Sequence, residues 1–191
     1  MTPAVLTVDR LHKSFGGVHA IRDLSFQVNP GEVLGLIGPN GSGKSTTVNA
    51  LAGVFPATSG EILLAGGHVQ SLQEYERVSM GLARTFQTAS IFAEFTVREQ
   101  VALGCNVTLK SHPLSSVFGV GRHPGEDKAI EARVDDILDV TGLSAVANER
   151  TGTISSAQQR FLMIATALAS EPRVLLLDEP AAGLVSHERK T

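Results

Sequence analysis

Tryptophan is missing from this chain, and cysteine and tyrosine occur once each in 191 residues. A lone thiol cannot close an internal disulfide, and Cys105, with apolar Ala102, Leu103 and Val107 nearby in sequence, is expected to be a buried structural thiol, which suits the cytoplasm. No apolar run approaches the ~18 residues that a membrane-crossing helix needs. Met1 to Asp9 lacks the basic-then-apolar order of a secretory leader, so the chain is expected not to cross a membrane, and the sequon Asn106-Val107-Thr108 is read as chance. A surplus of positive charge is absent too: the net charge is -3, with Lys and Arg scattered, which argues against nucleic acid as a partner. No internal repeat is found, so a solenoid is not expected. The spacing of His12, His19, His68, His112, His123 and His187 offers no metal-ligand pattern with acids or with Cys105.

What is present reads as an α/β chain long enough for one sizeable domain with a subdomain. Leu6 to Phe15 and Ala20 to Val28 alternate as two antiparallel strands joined at Gly16 and Gly17. After the turn Asn29-Pro30-Gly31, the nearly continuous apolar run Val33-Leu34-Gly35-Leu36-Ile37 predicts a parallel strand buried on both faces. Lys44 to Ala52 predicts a helix ending near Gly53 with Pro56 beyond, and Glu61 to Leu64 and Leu82 to Phe86 predict two more strands. From Ile91 the pattern changes to helical spacing around Phe95 to Leu103, followed by a Pro-, Gly- and Ser-rich loop from Ser111 to Gly125, as in an inserted subdomain. Ile130, Val134, Ile137, Leu138 and Thr141 form one stripe of an amphipathic helix whose outer face, with Glu131, Asp135 and Asp139, is expected to be merely solvated. Gln158 to Ala169 predicts a further helix, and Arg173 to Leu177 a second buried strand with acids at its end.

Between a buried strand and a helix start stands Gly38-Pro39-Asn40-Gly41-Ser42-Gly43-Lys44-Ser45, the phosphate-loop pattern in the context it requires. Glycines let the backbone curl so that successive N–H groups converge on phosphate oxygens, and the helix N-terminus adds partial positive charge there. In such a loop Lys44 reaches the β- and γ-phosphates, the Ser45 hydroxyl ligates magnesium, and Thr46 can donate a further hydroxyl. Val174-Leu175-Leu176-Leu177-Asp178-Glu179 supplies an apolar strand ending in two carboxylates: Asp178 to hold magnesium, through water, and Glu179 to polarise an attacking water as general base.

These motifs together resemble the ATP-binding subunits of ABC importers, of the branched-chain amino acid subclass, over essentially the whole chain. Ala83-Arg84-Thr85-Phe86-Gln87 resembles that subclass's glutamine loop, with Ile91-Phe92, Thr96-Val97-Arg98-Glu99 and Ala181-Ala182-Gly183-Leu184 continuing the likeness. The resemblance implies a P-loop NTPase fold of ABC ATPase type: a mostly parallel core sheet, an N-terminal antiparallel β-subdomain and an inserted helical subdomain. It implies a division into 1–90 with the β-subdomain and phosphate loop, 91–170 with the helical subdomain, and 171–191 with the acid-ended strand. It gives Phe15 as the ring on which adenine stacks, with a core phenylalanine as the alternative, and Gln87 as a contact to magnesium and the attacking water. Ser155 would touch the γ-phosphate of ATP held by an opposite subunit. ATP and magnesium are the implied cofactors. Membrane permease subunits, a second ATP-binding subunit and, indirectly, a substrate-binding protein are the implied partners, with the chain peripheral on the cytoplasmic face of the membrane.

Two departures qualify the resemblance. In Ile154-Ser155-Ser156-Ala157-Gln158-Gln159-Arg160, Ala157 stands where the family has glycine; if that position needed a positive φ, the swap would cost on the order of 1 kcal/mol. A weakened ATP-sandwich dimer is the expectation. After Leu184 the family continues into a helix and a central strand carrying a switch histidine, whereas here Thr191 ends the sequence, and His187 reads as an ordinary surface residue. A sheet without that strand is expected to be unstable and its ATPase slow or silent unless a partner completes it, each buried unpaired backbone group costing about 1–3 kcal/mol. The alternative to an ATP-hydrolysing subunit is therefore a nucleotide-binding protein without turnover.

Overall fold

The computed structural model describes residues 3–85, 91–105 and 124–178. The chain divides into two units, Met1–Ala83 and Arg84–Thr191, each with its own apolar interior.

The first unit is built on a four-stranded antiparallel sheet in the order β2-β1-β3-β4, from β1 (Leu6–Phe15), β2 (Val18–Val28), β3 (Ser59–Leu64) and β4 (Gly67–His68). The predicted hairpin stands, with Gly16 and Gly17 at φ 50° and 89° supplying its turn. Leu6 faces Val28 on one side and Leu64 on the other, and Val8 faces Phe26 and Ile62. Buried positions along β1 step from Leu6 and Val8 to Leu11 and Lys13, an odd step that simple alternation forbids. It is made at Arg10, where φ is 44° and the register shifts, so one extra residue returns the later side chains to the interior. The helix α1 (Lys44–Ala52) has the bounds expected of it and ends at Gly53, in the left-handed conformation, and the short helix α2 (Glu74–Ser79) follows β4.

The run Val33–Ile37 departs from expectation. It forms no strand and is not buried: Val33 is 97% and Ile37 95% exposed. Apolar composition creates the tendency to be covered, but a parallel strand is buried only where neighbours flank it, and among the described residues no strand pairs with this run. Strand β5 (Leu82–Arg84) is shorter than the expected Leu82 to Phe86, and Phe86 lies outside the described residues.

The second unit packs α3 (Val97–Cys105), α4 (Pro124–Val140) and α5 (Ser156–Leu168) around Val97, Val101, Cys105, Val134, Leu138, Leu143, Leu162 and Ala165. Cys105 is buried in that interior, as expected. Gly104 allows α3 to approach α5 closely, since a Cβ there would stand 2.1 Å from the Thr166 carbonyl oxygen. Val134 and Leu138 of the predicted stripe are buried, and Glu131, Asp135 and Asp139 on its outer face are exposed as expected, Asp135 Oδ1 also accepting from Arg98 Nη2 at 2.6 Å. Strand β6 (Val174–Leu176) is shorter than the expected Arg173 to Leu177, and Leu177 is 42% exposed rather than buried. Thr85 donates its N–H to the Leu176 carbonyl, so the chain just after β5 runs alongside β6.

Candidate functional site

The segment Gly38 to Thr46 leads directly into the first turn of α1, so the amides of that turn have no partner within the helix and point toward the loop. Gly43 makes the junction. Its φ is 92°, and a Cβ built on it would stand 2.3 Å from the carbonyl oxygen of Ala20 in β2. Only glycine fits, because the backbone both turns left-handed and presses against the sheet. Thr47 closes the first turn, giving its N–H and hydroxyl to the Gly43 carbonyl at 2.8 and 3.0 Å. Lys44 folds back over the loop, its Nζ donating to the carbonyls of Gly38 and Pro39 at 2.8 and 2.9 Å. An ammonium held by loop carbonyls can transfer its bonds to phosphate oxygens with little movement of the chain. Asn40, Gly41, Ser42 and Ser45 are exposed, and Gly38, Gly43, Lys44 and Thr46 are half-buried. No acidic side chain lies in the first turn of α1 to compete for an anion.

The other end of α1 is closed by a residue that sequence reasoning missed. Arg77, 1% exposed, donates from Nη1 to the carbonyls of Ala50 and Leu51 at 2.8 and 2.7 Å. Its Nε and Nη2 donate to the carbonyls of Leu72 and Gln70 at 3.1 and 3.3 Å. Those first two oxygens belong to the last turn of the helix, where a cation is favoured. Burial strips the guanidinium of water and lowers its pKa from the ordinary value.

Phe15, the candidate base-stacking ring, is 46% exposed and so is not the core residue of the alternative reading. It meets Phe55 edge-on, with ring centroids 5.2 Å apart. Lys13 Nζ lies 4.8 Å from the Phe15 centroid and 4.7 Å from that of Phe55, and donates to the Pro56 carbonyl. Lysine and phenylalanine at alternate positions of one strand give no signal of this cage, because Phe55 comes from beyond α1.

In the second unit, Asp178 follows β6 and pairs with Arg84: Nη2 to Oδ2 is 3.2 Å, with the side chains 11% and 6% exposed. A carboxylate at a strand end is a hard anionic oxygen donor of the kind magnesium takes, usually one or two per ion with water completing the shell, so Asp178 fits that cation. Ser155 is the N-cap of α5 in a capping box. Its hydroxyl accepts from the Gln158 N–H at 3.2 Å, and its own N–H donates to Gln158 Oε1 at 2.8 Å. Ser155 is exposed at that helix N-terminus. Ala157 lies within the first turn of α5 with no positive φ, so the backbone penalty considered for replacing glycine does not arise. Gln87 and Glu179 lie outside the described residues.

Residues 21–182 match the family described as ABC transporter. The chain is 36% identical over 190 residues to the high-affinity branched-chain amino acid transport ATP-binding protein LivG of Escherichia coli, covering all of this chain and 74% of that protein. It is 34% identical over 184 residues to BraF of Pseudomonas aeruginosa, which carries the same description, covering 96% of this chain and 72% of that protein. A crystal structure of the ADP conformation of an ATP-binding cassette of an ABC transporter superposes with a TM-score of 0.80 at 32% identity, covering 99% of this chain and 74% of that one.

Proposed function

Because the chain belongs to the ABC transporter family of ATP-binding proteins, we propose that it is the ATP-binding and ATP-hydrolysing subunit that energises an importer, with branched-chain amino acids as the cargo. The observation that carries this reading is the loop from Gly38 to Thr46, pressed against β2 at Gly43 and opening onto the N-terminus of α1 with Lys44 folded over it. In the proposed roles, the amides of Gly38, Pro39, Asn40, Gly41, Ser42 and Gly43 that carry hydrogens, together with Ser45 and Thr46, line the triphosphate, and Lys44 exchanges its loop carbonyls for phosphate oxygens. Phe15 presents its exposed ring to adenine, kept in place by Lys13 and Phe55. Magnesium, when bound, neutralises phosphate charge; Ser45, Gln87 and Asp178 would hold it. Glu179 takes the proton of the attacking water, and Gln87 orients that water.

Ser155 and the N-terminus of α5 are exposed, which suits a contact with nucleotide on a second ATP-binding subunit. The division into 1–90, 91–170 and 171–191 is part of the proposal, as are permease subunits as partners, an indirect link to a substrate-binding protein and a peripheral place on the cytoplasmic membrane face. Among the described residues no helix is long and apolar enough to cross a membrane. Titrating the purified chain with a fluorescent ATP analogue tests the core of the reading. Binding that Lys44→Ala weakens at least about tenfold is expected, and folded wild-type chain without affinity for nucleotide would refute it. Ala157, which keeps a Cβ at the N-terminus of α5, favours a second reading of ATP binding without turnover; single-turnover hydrolysis separates the two.

A further inference from the structure

We propose that Arg84 controls access of the nucleotide's divalent cation to Asp178: the guanidinium holds the carboxylate as an ion pair through Oδ2, and the cation competes with it for that carboxylate. The inference rests on the reading of Asp178 as the magnesium carboxylate and adds to it a positioning residue that works in opposition to the metal. Three observations support it. The pair is direct, Nη2 to Oδ2 at 3.2 Å, and it spans 94 residues of sequence, so it is a product of the fold rather than of local chain geometry. Both side chains are nearly buried, at 11% and 6% exposure, so the attraction between them is little screened. Arg84 is the last residue of β5, and its neighbour Thr85 is tied to Leu176 of β6 by its N–H, which fixes the guanidinium beside the strand end that carries Asp178.

The consequence follows from charge. A carboxylate that already faces a guanidinium is a poorer ligand for a divalent cation, since the ion must approach a paired, largely neutralised group. When the cation arrives with the nucleotide and draws on the Asp178 carboxylate, the Arg84 to Asp178 pair weakens and the two side chains separate. Nucleotide without metal leaves the pair intact.

The test is the magnesium dependence of nucleotide binding, a readout that turnover does not enter. The affinity of a fluorescent ATP analogue is measured in EDTA and across a magnesium series, for wild-type chain, Arg84→Gln and Arg84→Lys. Expected is a magnesium midpoint for Arg84→Gln lower than wild type by on the order of tenfold, affinity in EDTA unchanged, and Arg84→Lys in between. A midpoint that is unmoved or raised in a folded Arg84→Gln chain would overturn the proposal. Should Arg84→Gln not fold, a structure of wild-type chain with magnesium and a non-hydrolysable ATP analogue decides. The Arg84 to Asp178 separation should open beyond about 4 Å, and a retained pair with the cation on Asp178 refutes it. Wild-type chain that binds no nucleotide in either condition sinks the functional reading and this inference together, whereas wild-type binding with an unmoved midpoint sinks this inference alone.

Discussion

Replacing Arg77 by methionine isolates the one buried cation that closes the phosphate-loop helix. Methionine keeps most of the apolar stem but donates nothing, so the carbonyls of Ala50, Leu51, Leu72 and Gln70 lose the guanidinium together. Ala50 also accepts from the Gly53 N–H at 3.3 Å, so its oxygen keeps one partner. Charge-assisted bonds are worth about 1.5–3 kcal/mol each, but they are not additive, and the guanidinium itself is penalised by burial. Breaking a buried charged network of this size costs about 3–5 kcal/mol, and at roughly 2–4 °C per kcal/mol for a chain of this length the melting temperature falls by about 10 °C. Lysine should not rescue, because one ammonium on a flexible stem cannot serve acceptors lying in several directions. The pH dependence follows from the sign of the shift. Burial lowers the Arg77 pKa, so the group resists folding while charged and is relieved only as strongly alkaline pH passes the lowered value; between about pH 6 and 8 it is charged folded and unfolded, and the difference between wild type and Arg77→Met should be flat. Urea and thermal unfolding followed by circular dichroism measure all of this. A loss below about 1 kcal/mol would show that the carbonyls find other donors and that Arg77 is not what closes α1.

Gly43→Ala sets a Cβ against the Ala20 carbonyl at 2.3 Å with φ at 92°; a stability loss of about 2 kcal/mol or more and weakened nucleotide binding are expected from unfolding and titration, and unchanged values would contradict the described junction. Val33→Asn and Ile37→Asn replace side chains 97% and 95% exposed, so each should shift the unfolding free energy of this chain by no more than about 0.5 kcal/mol; a loss of core size would place the run in an interior. Ala157→Gly removes a Cβ at the N-terminus of α5, and sedimentation with ATP should register a larger dimer fraction; an unaltered fraction means that the methyl group does not limit the approach of a second subunit.

Elements whose signals are local were legible in the sequence. The hairpin turn at Gly16 and Gly17 and helix α1 between Gly43 and Gly53 are encoded by glycines that adopt positive φ where the chain must turn, and α1 has the predicted bounds. The capping box at Ser155 is equally local, a serine followed three residues later by glutamine. What was not legible depends on pairs distant in sequence. Arg77 looks like any arginine on a short polar helix until the end of α1 is set against it, and Arg84 looks like a motif letter until Asp178 is set beside it. The misreading of Val33–Ile37 has the same origin. An apolar run reports the free energy available if neighbours cover it, about 25 cal/mol per Å² of apolar surface, but the covering is a property of the neighbours. Where the described residues offer no flanking strand, the same four apolar side chains that spell a buried strand in sequence are exposed. Burial of this run and control of Asp178 by Arg84 are therefore separate questions, the first answered by what pairs with the phosphate-loop unit and the second by two side chains already in contact.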